Sequence, residues 1–580
     1  MFRQIMIKYN VSLILKKCRN DKILNSVWPK CAVHFSFVGR DRMSSKLLRG
    51  TFILTLGTMV SKVLGLFYVI PFYHIVGYRG TVLYNYSYVP YTIFISIATA
   101  GVPLAVAKFV SKYNALEEYG IGRKLFKSGL AVMLSTGVVA FLLLYLSAPM
   151  LAESVIRDKD QVSNVKDVVT VIRAVSFALI VVPFMSLIRG FFQGHQSMGP
   201  SAVSQVIEQI VRIVFVLAGA YVVLHIMKGS LVTAVSVATF AAFIGAIGSL
   251  VVLIWYWYKR KPYLDEILLQ DKGTIDISLK QIYKEVLIYA APFVFVGIAN
   301  PLFQLIDQLT FNRAMVSIGL AKQTEFALSV LNFESHKLVI IPVSLATAFS
   351  LTLVPSVTKA FVENDRKDLI RQLNQTFQVM LFLTLPAVIG LSLLAEPVYT
   401  VFYEHKELGT EVLRAYSPVA ILFALYSVTA AILQGINEQR FTILSLLVGL
   451  FIKLSLNIPF IKMFETRGAV LATALGYTAA ILINIYVIRK YAHYPFRLVV
   501  RRSLLIILFT FLMFVGTFAT YKLLLLFLSP ASKSQSLIII GICALVGAGI
   551  YVFLSYRTKL VYLLFGQRAE KIKQKLRLPF

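Results

Sequence analysis

This chain predicts an all-α integral membrane protein of fourteen transmembrane helices, laid out as two parallel six-helix lobes followed by a C-terminal pair. Three observations carry the expectation. Hydrophobic residues fill 58% of the 580 positions and charged residues only 15%, giving a mean hydropathy of +0.76 that lies outside the range of soluble domains. Windows of about 20 apolar residues, each able to cross roughly 30 Å of hydrocarbon, follow one another almost without a break after Met43. Short motifs also recur six windows apart.

Segment 1–42 stands apart from the rest. It holds nine Lys or Arg against Asp21 and Asp41, with an apolar patch from Val11 to Leu15 too brief for the core of a signal peptide. It reads as a basic leader, dispensable to a working protein that opens at Met43.

The first lobe, 43–260, contains spans near 51–74, 81–101, 126–149, 167–190, 200–226 and 232–258. A polar linker, 261–283, follows with the sequence KPYLDEILLQDKG at its start. The second lobe, 284–490, contains spans near 284–310, 330–357, 372–395, 410–435, 441–462 and 468–489. The last pair, 503–527 and 535–556 within 491–557, has no ionisable side chain from Ser503 to Tyr521 or from Ser536 to Tyr556 other than Tyr and Cys543. Such helices suit lipid contact and a groove for an acyl or prenyl tail. Segment 558–580 is a basic tail.

The repeat is visible in short echoes. SIATA at Ser96 to Ala100 meets SLATA at Ser344 to Ala348, and Gln193-Gly194 meets Gln434-Gly435; on the latter offset Ser204 meets Ser445 and Arg212 meets Lys453. An even number of spans between copies makes the halves parallel, related by an axis along the membrane normal, as in some transporters.

The net charge of +31 invites a nucleic-acid reading, but its distribution excludes one. Lys and Arg gather in alternate short links, as cytoplasmic loops require, so the charge sets topology and places both termini on the cytoplasmic side of the cell membrane. The cysteines, Cys18, Cys31 and Cys543, lie too far apart in kind and place to form a metal cluster or disulfide framework.

Ionisable groups within spans are costly and mark function. The spans enclose Lys62, Arg173, Arg212, Lys337 and Lys453 against only Glu208, Asp307 and Glu334, with His336 beside Lys337. Glu208 and Arg212 share a helix face at a spacing of four and can neutralise one another. Glu334 stands three residues before Lys337, while Lys62 and Lys453 have no acid at helical spacing. An uncompensated ammonium in hydrocarbon calls for water or an anionic ligand, and diphosphate suits a group of such bases. Lys62, Arg212, Lys337 and Lys453 are therefore the candidate headgroup ligands. Glu208, Asp307, Arg173 and Glu334 are candidates for coupling or cavity pairing, Asp307 either with a lysine across the cavity or as a site for Na⁺ or H⁺.

Three stretches carry a family resemblance: RGTFILTLGTMVSKVLGLFYVIPF from Arg49, ATAGVPLAVAKFVSKY from Ala98, and RGFFQGHQSMGPSAVSQVIEQIVRI from Arg189. They resemble the Gram-positive polysaccharide-biosynthesis branch of the MOP exporter superfamily, and within it the MurJ-like lipid II flippases. The resemblance implies a MOP/MATE-like pair of lobes around a cationic cavity, with a hydrophobic groove at the last two helices. It further implies a flippase that carries undecaprenyl-diphosphate-linked peptidoglycan precursor from the inner to the outer leaflet. The family's S-R-x-L-G motif matches Ser61, Lys62, Leu64 and Gly65, and its basic residue five places before a proline matches Lys337 before Pro342. Tyr68 and Val69 stand where Gram-negative members carry an Arg-Asp pair, and ISIATAG lacks their second-helix arginine; Arg212 and Lys453 are the candidates to substitute.

The expected function is thus transport by alternating access, not enzymatic chemistry. Other cargoes of the same chemistry are a teichoic acid or capsule unit, while a drug/cation antiporter of the superfamily would want an acidic cavity. An integral-membrane transferase would need clustered acids in long polar loops, which the sequence lacks, and a scaffold would need no intramembrane bases. No cofactor is expected, and no GxxxxGK[ST] loop offers an ATP site, so membrane potential or Na⁺ or H⁺ coupling would drive the cycle. Membrane lipids and other cell-wall synthesis proteins complete the expected partners.

Overall fold

A computed structural model describes residues 53–54, 56–99, 101–156 and 163–565. The expected leader, 1–42, lies outside the described residues, as does most of the basic tail. Helices account for all regular structure among the described residues, as apolar backbone in a bilayer demands when no barrel closes.

In chain order these are α1 (Leu56–Phe67), α2 (Val69–Thr99), α3 (Val102–Ala115), α4 (Tyr119–Val155), α5 (Val165–Ser176), α6 (Ala178–Gly194), α7 (Met198–Tyr221), α8 (Leu231–Leu268) and α9 (Leu279–Val316). Then come α10 (Thr324–Ser329), α11 (His336–Val362), α12 (Arg366–Leu393), α13 (Ala395–Phe402), α14 (Glu407–Tyr416), α15 (Val419–Gly435), α16 (Arg440–Tyr491), α17 (Arg497–Leu524), α18 (Lys533–Arg557) and α19 (Leu560–Phe565). Wide π turns close α7 over Val222–Ile226 and join α10 to α11 over Val330–Ser335.

Polar residues mark several starts. The Ser230 hydroxyl accepts from the Thr233 amide at the head of α8, Ser278 and Gln281 form a reciprocal capping box at α9, and Asp365 caps α12.

By length and apolarity, twelve helices among the described residues can cross a membrane, against the fourteen expected. Two of the twelve are folded back on themselves. At Gly77 the backbone adopts φ 65°, ψ −174°, a region essentially closed to residues with a Cβ, and Phe72 then packs edge-on against Tyr84 across the reversal. Within α16 Glu465 takes φ 51°, and Lys453 reaches back to the Ala469 carbonyl at 3.0 Å. A straight 52-residue helix would run about 78 Å, far beyond one bilayer, so the reversal is the geometric requirement.

The sequence echo is also a structural one. After α6, Gln196 takes φ 56° and the Ser197 amide donates to Phe192; after α15, Asn437 takes φ 62° and the Glu438 amide donates to Leu433, each 241 positions later. The hydroxyls of Ser204 and Ser445 then bond the carbonyls of Ser201 and Thr442. Two copies of one turn thus deliver α7 and α16 into the bundle in the same way.

Helices of the first half pack chiefly on one another, as do those of the second, with α17 and α18 paired beside α12. Between the halves, α9 lies along the second arm of α2: Gln308 donates to the Asn85 carbonyl and Asn312 to the Tyr86 hydroxyl near one end, while Lys112 of α3 pairs with Glu285 at 2.7 Å near the other. Between apolar helices in lipid there is little hydrophobic drive, so such bonds and close packing hold the bundle.

Candidate functional site

The junction of α1 with α2, where Tyr68 sits, and the π turn before α11 bring Tyr68 to Lys337. The Lys337 ammonium donates to the Tyr68 hydroxyl at 3.0 Å and stands 4.5 Å from the Phe333 ring centre and 4.8 Å from that of Tyr68. Tyr84 and Tyr88 complete the ring of faces at 5.9 and 6.0 Å. Among the described residues no acid pairs with this cation, so ring quadrupoles and one phenol replace a counter-charge.

Tyr84, Tyr88 and Tyr91 lie at intervals of four and three, on one face of α2, and the Tyr68 and Tyr84 hydroxyls approach to 3.4 Å. Arg212 on α7 lies within electrostatic range of Tyr84, Tyr88 and Tyr91. Lys337 and Arg212, from opposite halves of the chain, therefore act on one group of tyrosines, in which the buried Tyr91 hydroxyl has no hydrogen-bond partner among the described residues.

Glu208 does meet Arg212, at 3.1 Å, but its second oxygen is taken by Arg189 of α6 at 2.9 Å. Arg189 also donates from Nε to Ser204 and from Nη2 to Ser249 of α8. Gly245, one turn before Ser249, permits the approach: a Cβ there would sit 2.8 Å from the Glu208 carbonyl oxygen and 3.0 Å from the Arg212 Cβ. The expected pair is thus a triad, Arg189, Glu208 and Arg212, with a net charge of one unit positive, and the Arg212 Nε is buried without a partner.

Lys62 lies exposed on α1, and among the described residues nothing pairs with it. Its neighbours turn the other way, Thr58 donating to Gln205 and Gly65 facing Gln209 on α7.

Several candidates stand elsewhere than the sequence suggested. Lys453 is fully buried, and its three donors go to Asp307 at 2.6 Å, Thr473 at 2.8 Å and the Ala469 carbonyl at 3.0 Å, which leaves none for a headgroup. Of the two roles open to Asp307 from the sequence, the structure shows the pairing with a lysine: its Oδ1 accepts from both Lys453 and Asn457. Glu334 does not pair with Lys337. The π turn points it instead at the Tyr399 and Ser329 hydroxyls, and Tyr403 donates to its carbonyl. His336 meets the Tyr416 hydroxyl at 3.0 Å. Among the described residues Arg173 pairs with no acid and with none of the other candidates; its guanidinium lies over Tyr145 at 4.8 Å.

Arg189 and the tyrosine layer were missed. Arg189 ends its apolar span and looks like a loop charge, whereas the spacing of Tyr84, Tyr88 and Tyr91 was a usable signal. The last two helices were expected to form a lipid groove between them; the cavity in this region lies elsewhere. A cavity of about 690 Å³ lies between α12 and α17, lined by Leu385, Ile389, Phe511, Phe514 and Phe518 together with the charged Glu396, Arg414 and Lys522.

The polysaccharide biosynthesis protein family model matches residues 47–361. The chain is 50% identical over 532 residues to the lipid II flippase MurJ of Bacillus subtilis (strain 168), covering 91% of this chain and 98% of that protein. Among solved structures it resembles a lipid II flippase MurJ in an inward closed conformation, with a TM-score of 0.57, 16% identity, and coverage of 88% of this chain and 99% of that one. A multidrug resistance MATE family transporter in an inward-facing conformation gives a TM-score of 0.57 at 15% identity, over 76% and 94% of the two chains.

Proposed function

This chain belongs to the polysaccharide biosynthesis protein family, on the branch that holds the MurJ flippases, and from that premise we propose that it carries lipid II from the inner to the outer leaflet of the cell membrane. It is a multi-pass membrane transporter and not an enzyme. The observation that carries the cargo is Lys337, a cation within the bundle with aromatic faces around it, no acid on it among the described residues, and Arg212 acting on the same tyrosines. A diphosphate entering that layer would bring the missing negative charge. The same feature disfavours a cationic drug as cargo.

The two halves, 43–260 and 284–490, act as lobes that rock about the layer. Contacts between α1 or α2 and the segment from α10 to α13 close it at one face, where Tyr73 packs on Tyr403 at 5.2 Å and Phe67 on Phe402 at 6.4 Å. We assign that face to the outside and the basic links with both termini to the cytoplasm. The cavity beside α17 takes the polyprenyl tail, its apolar lining supporting the reading. Membrane potential supplies the drive: moving one charge through 100 mV is worth about 2.3 kcal/mol. Na⁺ or H⁺ coupling at Asp307 would first require Lys453 to leave it.

Depletion in cells, with the sidedness of lipid II measured by an impermeant probe, tests the assignment. Accumulation on the inner leaflet is expected. Unchanged sidedness in cells without a second flippase would refute it.

A further inference from the structure

The Arg189, Glu208 and Arg212 triad has a division of labour that the geometry makes explicit. Arg189 is held on all sides: its Nε donates to Ser204, its Nη2 to Ser249 and Glu208, and its carbonyl accepts from Ser201. Ser201, Ser204 and Ser249 are fully buried, and the Arg189 side chain is only 12% exposed. Arg212 is held at one point, a single Nη2 contact with Glu208, with its Nε unpartnered and the tyrosine layer beside it.

We propose that Arg189 is a positioning residue for anionic cargo: by occupying one oxygen of Glu208 it keeps that carboxylate from neutralising Arg212, which is left with charge and donors to offer a diphosphate. The inference rests on the cargo reading above. A lone Glu208 and Arg212 pair, four residues apart on α7, would carry no net charge and could close into a two-bond fork. With Arg189 in place the carboxylate is shared and the cluster keeps one positive charge. Three helices cooperate in this: α6 brings the second arginine, α8 brings Ser249, and Gly245 lets α7 approach closely enough for both.

Binding of undecaprenyl diphosphate to the purified full-length protein in detergent tests the proposal as a cycle of variants. Arg189→Gln is expected to weaken binding about tenfold or more, as befits a lost charge-assisted contact, and Arg189→Lys, which keeps the charge without the fork, to lie between. Glu208→Gln is expected to bind at least as tightly as the native chain. In that background Arg189→Gln is expected to have little further effect, because no carboxylate remains to be occupied. A merely structural Arg189 would give the opposite pattern, with the double variant as weak as the single one, and that result overturns the proposal. So does unchanged binding by Arg189→Gln, or weakened binding by Glu208→Gln with unaltered thermal stability. Failure of the native protein to bind the diphosphate lipid at all would refute the cargo reading, and this inference with it.

Discussion

Lys337 and Tyr68, 269 positions apart in the chain, meet at 3.0 Å and join the two halves of the protein at the tyrosine layer. The lysine has traded a carboxylate for a phenol and several ring faces, an arrangement that holds a cation in place without cancelling its charge. That trade makes it readable by substitution.

Lys337→Ala is expected to abolish complementation of a flippase-depleted strain while the protein still reaches the membrane at native abundance. Tyr68→Phe keeps the ring and removes the acceptor, so an intermediate loss of transport is expected. Growth assays with immunoblots of membrane fractions check both; normal growth of Lys337→Ala would remove it as a headgroup ligand.

Lys453 and Asp307 should behave as a structural pair. Each single neutralisation, Lys453→Met or Asp307→Asn, leaves a buried charge without its partner and is expected to cost about 3–5 kcal/mol. The double variant should recover most of that, because two neutral groups leave no orphaned charge. Thermal unfolding in detergent measures the three, and additive losses would contradict the pairing.

The contact of Tyr73 with Tyr403 predicts a trap. With both replaced by cysteine in a chain whose Cys18 and Cys31 are changed to serine and whose Cys543 is buried, a thiol-specific cross-linker with a reducible bond should bridge α2 to the segment after α13 and stop transport, and reductant should restore it. Transport that continues when the bridge is fully formed would exclude this face as a moving gate.

The linker before α9 is pinned by specific bonds. Gly120 donates its amide to Asp271, and Glu118, itself buried, accepts from the Thr274 amide at 2.9 Å and from the Thr274 hydroxyl. Glu118→Ala is expected to speed hydrogen exchange over 271–278 and cost about 1–3 kcal/mol. The exposed Lys272 and Glu117 pair should matter far less, as surface ion pairs generally do.

Much of the architecture was legible because bilayers enforce it: apolar windows gave the spans, and the echo at Gln193 and Gln434 marked a turn repeated in backbone detail. The reversals at Gly77 and Glu465 fall in the short gaps that separate apolar windows 51–74 from 81–101 and 441–462 from 468–489, although helical backbone runs almost unbroken through both. At the site, Glu208 and Arg212 were visible because they share a helix face. Lys453 and Asp307 were not, since their pairing spans 146 positions and depends on α16 folding back beside α9. Glu334 misled for another reason. Ordinary helical spacing puts it next to Lys337, and the π turn rotates it away.

That wide turn also has a bearing on what the chain tolerates in its own length. The six residues Val330–Ser335 set the angular phase of everything after them on α11. Removing a single residue there would tighten the coil and swing the lysine by about 100° about the axis, out of its aromatic cradle and toward lipid, with every side chain intact. A gene that kept each residue of the layer but lost one codon upstream of it would encode a membrane protein of normal appearance with its cation aimed at the wrong neighbour.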